Sequence, residues 1–212
     1  MSVQVQLRRD TYANVAANHG AAGEVFVDTT NQRLVVQDGA TNGGFPAPVT
    51  LFAGNGGSTN NSNTGSGAFV NHTPTFTIPT NFMIAARAFR VTAHFQITTG
   101  SVAPTIAFRL SLGATAIYTS ANSSPAASMT NVQFAIQWMF QAAQAPGAAA
   151  NVQCAAINQA NGVGVTAVGL TAMPVAVATN AAQVLTIATE WATAGTGTNA
   201  IGLNQFIVEA LN

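Results

Sequence analysis

Apolar and polar residues alternate with a period of two along most of this chain. Between Arg87 and Ile97 an apolar residue stands at every second position. The same alternation returns in four later segments, residues 106–112, 132–140, 184–191 and 205–211. Because successive side chains of a strand point to opposite faces of the sheet, each segment predicts a strand with one apolar face. Turn-forming clusters of Asn, Gly, Ser and Pro separate the segments. The pattern therefore predicts an all-β fold, with a jelly-roll-like antiparallel β-sandwich over residues 68–212.

The first fifty residues have shorter elements. Residues 3–7 alternate as a strand does, and residues 12–18 favour a short helix. Two apolar-rich runs, Glu24 to Asp28 and Arg33 to Asp38, flank a polar Thr-Thr-Asn-Gln link and predict a β-hairpin. A turn is expected at Asp38-Gly39, with Asp side chains accepting hydrogen bonds from turn amides and glycine supplying positive φ.

A change of composition divides the chain. Residues 54–67 read Gly-Asn-Gly-Gly-Ser-Thr-Asn-Asn-Ser-Asn-Thr-Gly-Ser-Gly and contain no apolar side chain. Such a composition is typical of a flexible linker. We therefore expect a small N-terminal β module over residues 1–53, a linker over 54–67 and the sandwich over 68–212.

The N-terminal module carries a spaced motif. An Arg-Arg pair precedes Gly-Glu, a strand, Asp-Thr, Arg-Leu and then Asp-Gly-x-Thr. The positions that carry it are Arg8, Arg9, Gly23, Glu24, Asp28, Arg33, Asp38 and Gly39. This motif resembles the N-terminal module of bacteriophage tail-fibre, head-spike, hyaluronidase-type and major-tropism-determinant proteins. A weaker resemblance links the last strands, residues 184–209, to phage fibre and spike jelly rolls.

The resemblance implies where the protein works. It implies a trimeric attachment piece on the virion surface, assembled in the host cytoplasm, with capsid, collar or tail proteins as partners. Because such modules are joined to very different C-terminal domains, the resemblance does not name a ligand.

Charge is scarce in this chain. Only 6% of residues are charged, the net charge is zero, and residues 110–189 carry no formal charge. A neutral, weakly charged surface tends to self-associate, which supports a homotrimer; a Thr- and Asn-rich surface that stays exposed is the alternative.

The chain has six scattered arginines and no lysine, so a nucleic-acid partner is not expected. A membrane role is not expected either, because polar residues interrupt every apolar run before the ~20 residues of a spanning helix. Residues 1–20 lack the apolar core of a secretory signal.

Residues for acid and base catalysis are few. Cleavage of a polysaccharide needs carboxyl groups that converge in a cleft, and beyond the linker only Glu190 and Glu209 are available. Both lie on predicted strands, where structural roles are expected. Cys154 is expected to be a buried, inert thiol. The histidines are too far apart for a local metal motif: His19, His72 and His94. We therefore expect no enzyme activity and no cofactor. His94 lies on the polar face of its strand, where it either lines a subunit interface or faces solvent.

One loop offers sugar-binding chemistry. A sugar stacks on an exposed flat ring that has hydrogen-bonding neighbours. Tyr118, at a predicted strand end, is followed by Asn122 and Ser123, and these three form the predicted ligand site. Trp138 falls on an apolar strand face and is expected in the core, and Trp191 is a weaker candidate. The favoured role is attachment to host surface polysaccharide without cleavage. The alternatives are a purely structural head fibre or capsid decoration protein, and a polysaccharide depolymerase.

Overall fold

The computed structural model describes residues 8–17, 19–30, 33–56, 61–63, 67–158, 173–193 and 199–211. The chain divides into two compact units, an N-terminal unit of residues 1–50 with 209–212 and a distal unit of residues 51–208. Strands make up nearly all the regular structure in the described ranges, so the predicted all-β class is confirmed.

The N-terminal unit contains a four-stranded sheet in the order β1-β2-β3-β4. Its elements are β1 (Arg8–Asp10), α1 (Tyr12–Ala17), β2 (Val25–Asp28), β3 (Arg33–Val36) and β4 (Phe45–Pro46). β2 and β3 pair antiparallel, so the predicted hairpin is confirmed. β1 runs parallel to β2. The short helix is present as α1, whereas residue 18 and the strand predicted at residues 3–7 lie outside the described residues.

The two faces of the β2–β3 hairpin differ. Phe26 and Val35 lie opposite each other on the inner face and are buried, as is Val15 of α1. On the outer face two aliphatic pairs lie side by side: Val25 opposite Val36, and Val27 opposite Leu34. Leu34 and Val36 are 37% and 40% exposed, so this outer face presents apolar side chains to solvent in the single chain.

The remaining strands form two sheets, which lie mainly in the distal unit. The five-stranded sheet has the order β11-β10-β15-β7, with β8 also paired to β15; the seven-stranded sheet has the order β14-β13-β12-β9-β16-β5, with β6 also paired to β16. Their strands are β5 (Val49–Asn55), β6 (Asn61–Asn63), β7 (Val70–Asn71), β8 (Phe76–Ile78), β9 (Ala88–Thr98), β10 (Thr105–Leu112), β11 (Thr115–Thr119), β12 (Val132–Ala142), β13 (Ala150–Asn158), β14 (Val175–Val177), β15 (Gln183–Thr193) and β16 (Asn199–Ala210).

Aromatic side chains join the two sheets into a sandwich. Phe95 of β9 stacks on Phe134 of β12, with ring centroids 5.3 Å apart. Both rings also contact Phe108 of β10 in the other sheet, at 5.5 and 5.9 Å. The apolar positions predicted on β9, β10, β12 and β15 therefore face a shared core, and the predicted sandwich is confirmed.

The segment predicted as a flexible linker contains paired strands where it is described. Gly54 and Asn55 end β5, and β6 pairs with β16. The Gly56 amide donates a hydrogen bond to the Asn204 carbonyl at 3.0 Å, and a Cβ at Gly56 would overlap the Leu203 carbonyl. Strand pairing uses backbone groups, so it needs no apolar side chain, and glycine here permits close backbone approach. Residues 57–60 and 64–66 of that segment lie outside the described residues.

Candidate functional site

The Asp38-Gly39 turn of the N-terminal motif closes on itself. Asp38 Oδ1 accepts hydrogen bonds from the amides of Ala40 and Thr41 at 2.9 and 2.7 Å, and Oδ2 accepts one from the Thr41 hydroxyl at 2.7 Å. These bonds, the Thr41 amide foremost, lower the pKa of Asp38 to about 2. Gly39 has φ +81°, a conformation that glycine adopts without strain. The predicted turn chemistry is confirmed.

Two ion pairs connect other residues of the motif. Asp28 is fully buried, and its Oδ2 accepts a hydrogen bond from Arg33 Nε at 3.2 Å. Its Oδ1 accepts one from the Thr30 amide at 3.1 Å. Arg8 and Glu24 are 3.9 Å apart at a more exposed position, which makes this pair weak. The Arg8 guanidinium also lies 4.8 Å from the centre of the Phe26 ring.

The remaining motif residues stand at the surface. Arg9 is exposed on β1, and Gly23 has φ +82°, beside the turn that leads into β2. Together these contacts give the motif a structural purpose, because its charged residues tie the strands and turns of the N-terminal sheet to one another. No chemistry beyond positioning follows from them.

The prediction that Tyr118 forms an exposed stacking surface is wrong. The Tyr118 ring is 2% exposed and packs edge-on against Trp138, with centroids 6.2 Å apart. A β-bulge explains the error: the pairing of β10 and β11 shifts between Leu110 and Ser111, so Ile117 and Tyr118 both point into the core. Simple alternation would have put one of them outside. Burial, followed by the electrostatic effect of the nearby Cys154, raises the pKa of Tyr118 to about 12, so the phenol stays protonated.

The other two residues of the predicted sugar site differ in their exposure to solvent. Asn122 is exposed, whereas Ser123 is 3% exposed. Ser123 exchanges two backbone hydrogen bonds with Ile106, each 2.8 Å long. The structure therefore leaves only Asn122 accessible, and the three residues do not form a binding surface.

The apolar and thiol candidates lie mainly in the core. Trp138 is fully buried, as predicted, and Trp191 is 2% exposed. Cys154 is half-buried, and burial raises the pKa of its thiol to about 12. The thiol is therefore protonated and a poor nucleophile. His72 is buried, while His19 and His94 are exposed.

The carboxyl groups of the distal strands lie on different sheets. Glu190 belongs to β15 of the five-stranded sheet and Glu209 to β16 of the seven-stranded sheet. Across the described ranges, no group of three His, Cys, Asp or Glu side chains is placed to hold a metal ion. No helix in the described part of the chain is long and apolar enough to cross a membrane.

A groove of about 340 Å³ lies on the outer face of the seven-stranded sheet. We name it the amide groove after the two glutamines in its wall. Among the residues that line it are Ala88, Met139, Gln141, Gln153, Ala155 and Met173. They come from β9, β12, β13 and the chain just before β14. Its volume is within the usual range of small-molecule pockets.

The strand register sets the layout of the amide groove. Ala88, Gln141 and Gln153 form one row across three neighbouring strands, and Met139 and Ala155 form part of the next row. Met139 and Met173 are 41% and 37% exposed. This site is not evident from the sequence, because Gln141 and Gln153 are ordinary outward-facing residues of β12 and β13. The one hint in the sequence is weak: Met139 and Gln141 both fall at outward positions of β12.

The N-terminal part of the chain matches known proteins. Residues 5–41 match the family described as major tropism determinant N-terminal domain. The tail fiber receptor-binding protein of Bordetella phage BPP-1 is 54% identical over 46 residues, which are 22% of this chain and 12% of that protein. The chain thus matches only about an eighth of the length of that relative.

Two solved structures align with most of this chain, but with low sequence identity and a low TM-score. A structure of the infectious bursal disease virus Gt strain aligns with 84% of this chain and 35% of its own, at 12% identity and a TM-score of 0.33. The structure of alginate lyase Aly36B aligns with 76% of this chain and 96% of its own, at 8% identity and a TM-score of 0.30. These values are too low to indicate a shared activity. The family resemblance seen in the sequence is confirmed for the N-terminal module: residues 5–41 match the major tropism determinant N-terminal domain.

Proposed function

We propose that this chain is a bacteriophage fibre subunit that attaches the virion to the host surface. The match of residues 5–41 to the major tropism determinant N-terminal domain carries this proposal. The similarity to a phage tail fiber receptor-binding protein supports it. In this role the N-terminal unit joins capsid, collar or tail proteins, and the distal unit projects from the virion surface. Assembly takes place in the host cytoplasm.

The subunit acts as a homotrimer in this proposal. Within residues 8–50, the described part of the N-terminal unit has three buried apolar side chains, Val15, Phe26 and Val35. So few are a small core for a module of that size. The exposed aliphatic pairs on the outer face of the β2–β3 hairpin supply further apolar area that neighbouring subunits can cover.

The distal unit binds host polysaccharide without cleaving it. The scarcity of carboxyl groups supports a non-enzymatic role, because acid and base groups must converge on one bond and only Glu190 and Glu209 carry carboxyl side chains beyond residue 67. A depolymerase is therefore the weaker alternative. A purely structural head fibre or capsid decoration protein is the second candidate, and it is favoured by the burial of Tyr118, which removes the predicted stacking ring.

Adsorption and labelling experiments separate these functions. Purified protein at micromolar concentration should occupy host receptors and slow adsorption of the phage that encodes it. Protein unfolded by heat serves as the control. Gold-labelled antibody against the chain should decorate intact particles and show whether the subunit sits on head or tail. Labelled particles with undiminished adsorption would favour the structural role, and unlabelled particles would contradict both.

A further inference from the structure

We propose that the amide groove on the seven-stranded sheet is a binding site for a neutral saccharide. This inference rests on the proposed attachment function and names its ligand class and its place in the fold. The ligand then binds on the outward side of β9, β12 and β13, and not at the loop after Tyr118, which follows a strand of the other sheet.

The first observation is the pair of amides in the wall of the groove. Gln141 and Gln153 lie directly opposite each other on neighbouring strands, so their Cβ atoms are about 5 Å apart. Both glutamine side chains are exposed on this face, so their amides are open to a ligand. Each amide offers two N–H donors and one carbonyl acceptor. Neighbouring hydroxyl groups of a sugar ring, which both donate and accept, match such a pair.

The second observation is the apolar remainder of the groove. Ala88 and Ala155 flank the amides with small side chains, and Met139 and Met173 add flexible thioethers. A pyranose ring has an apolar face of C–H groups and an edge of hydroxyls. Methionine adapts its shape to such a face, while the amides meet the hydroxyl edge. The groove therefore has both kinds of surface that a sugar ring requires.

The third observation is the lack of charge. Among the residues that the structure describes, no formally charged side chain lines the groove. Arg90 lies opposite Met139 on the same sheet face, but it is not part of the lining. A uronate or phosphate in the groove would lose water without gaining an ionic partner, which costs free energy. Electrostatic complementarity thus favours a neutral ligand over an acidic one.

The test uses the full-length protein with defined oligosaccharides. Saturation-transfer NMR is recorded with neutral tetrasaccharides of glucose, galactose and mannose, and with a tetrasaccharide of uronic acids. We expect transfer to at least one neutral tetrasaccharide and none to the uronate. Titration then gives the affinity of the neutral ligand. The double variant Gln141→Leu with Gln153→Leu should weaken this affinity on the order of tenfold, because two hydrogen bonds are lost.

Two further variants make the test specific. Gln133→Leu removes an exposed amide from the same strand, outside the groove, and should bind as the unmodified protein does. Ala155→Arg fills the groove and should abolish binding, and circular dichroism verifies that each variant folds. Equal affinity of the unmodified protein and the double variant would overturn the proposal. So would a preference for the uronate, or no binding of any of the tetrasaccharides. Protein that blocks adsorption without binding in the groove would leave the attachment function standing and refute this site.

Discussion

His72 Nε2 lies 2.9 Å from Thr189 Oγ1 inside the sandwich of the distal unit. His72 is 3% exposed, Thr189 is fully buried, and the Phe95 ring packs edge-on against the imidazole at 5.8 Å. Burial of the imidazole lowers the pKa of His72 from 6.5 to about 4, because the charged form would lose its hydration. The folded protein therefore holds this histidine neutral in mildly acidic conditions.

Acid should destabilise the distal unit through His72. Below pH 6.5 the unfolded chain binds a proton at this residue, whereas the folded chain does so only near pH 4. The free energy of unfolding should therefore fall as the pH drops from 6.5 to 4, by about 3 kcal/mol, and this contribution should be constant above 6.5. Urea denaturation at several pH values measures the slope. His72→Gln should flatten it, and the exposed control His94→Gln should retain it.

Removing the Tyr118 hydroxyl should not weaken the protein. In the described residues this buried oxygen has no hydrogen-bond partner, which is a costly state for a polar group. Tyr118→Phe should therefore leave the free energy of unfolding unchanged or raise it by about 1 kcal/mol. Ser120→Ala is the matched comparison. The buried Ser120 Oγ accepts a hydrogen bond from the Phe108 amide at 2.8 Å, so its loss should cost about 1–2 kcal/mol. A large loss in Tyr118→Phe would mean that the hydroxyl has a partner.

The position of a truncation should decide whether the distal unit remains stable. Phe52 of β5 lies 5.5 Å from the rings of both Phe76 and Phe206. A chain that begins at Val49 keeps this edge strand, and a chain that begins at Gly54 loses most of it. We expect the free energy of unfolding of the shorter chain to be lower by at least about 2 kcal/mol, because a partly buried aromatic side chain is lost. Thermal unfolding compares the two. Equal midpoints would show that β5 adds nothing to the sandwich.

Charges on the outer face of the β2–β3 hairpin should dissociate the proposed trimer. Light scattering of the unmodified protein should give three times the 21.6 kDa chain mass. The double variant Leu34→Asp with Val36→Asp should give the mass of one chain, because buried, unpaired carboxylates oppose association. Val184→Asp introduces one carboxylate at a similarly exposed valine of the distal unit and should remain trimeric. A trimeric double variant would place the interface elsewhere.

Much of the sandwich is predictable from local pattern. On β9 and β12, alternation alone identifies the residues that face the core, because both strands are long and regular. Asp38 and Gly39 are equally predictable, since their turn is stabilised by neighbours within three residues. These features depend on short-range geometry that a sequence displays directly.

The errors arise where pairing between distant strands overrides local pattern. The bulge opposite Leu110 turns Tyr118 inward, and no nearby residue signals it. Gly56 lies within a segment whose composition suggests flexibility, yet its partner is Asn204. The amide groove combines residues from β9, β12 and β13, so it exists only after those strands have paired. A single sequence offers little basis for predicting such features.

The two exposed methionines give the amide groove a chemical vulnerability. Oxidants convert an accessible thioether to a sulfoxide, which is polar and a strong hydrogen-bond acceptor. Met139 and Met173 are open to this reaction, while the neighbouring Cys154 thiol, with its pKa raised to about 12, has too little thiolate to react in parallel. Dilute peroxide should therefore turn the apolar wall of the groove polar before it damages the core. Methionine sulfoxide reductases would reverse the change, so the face can be altered and restored without any mutation.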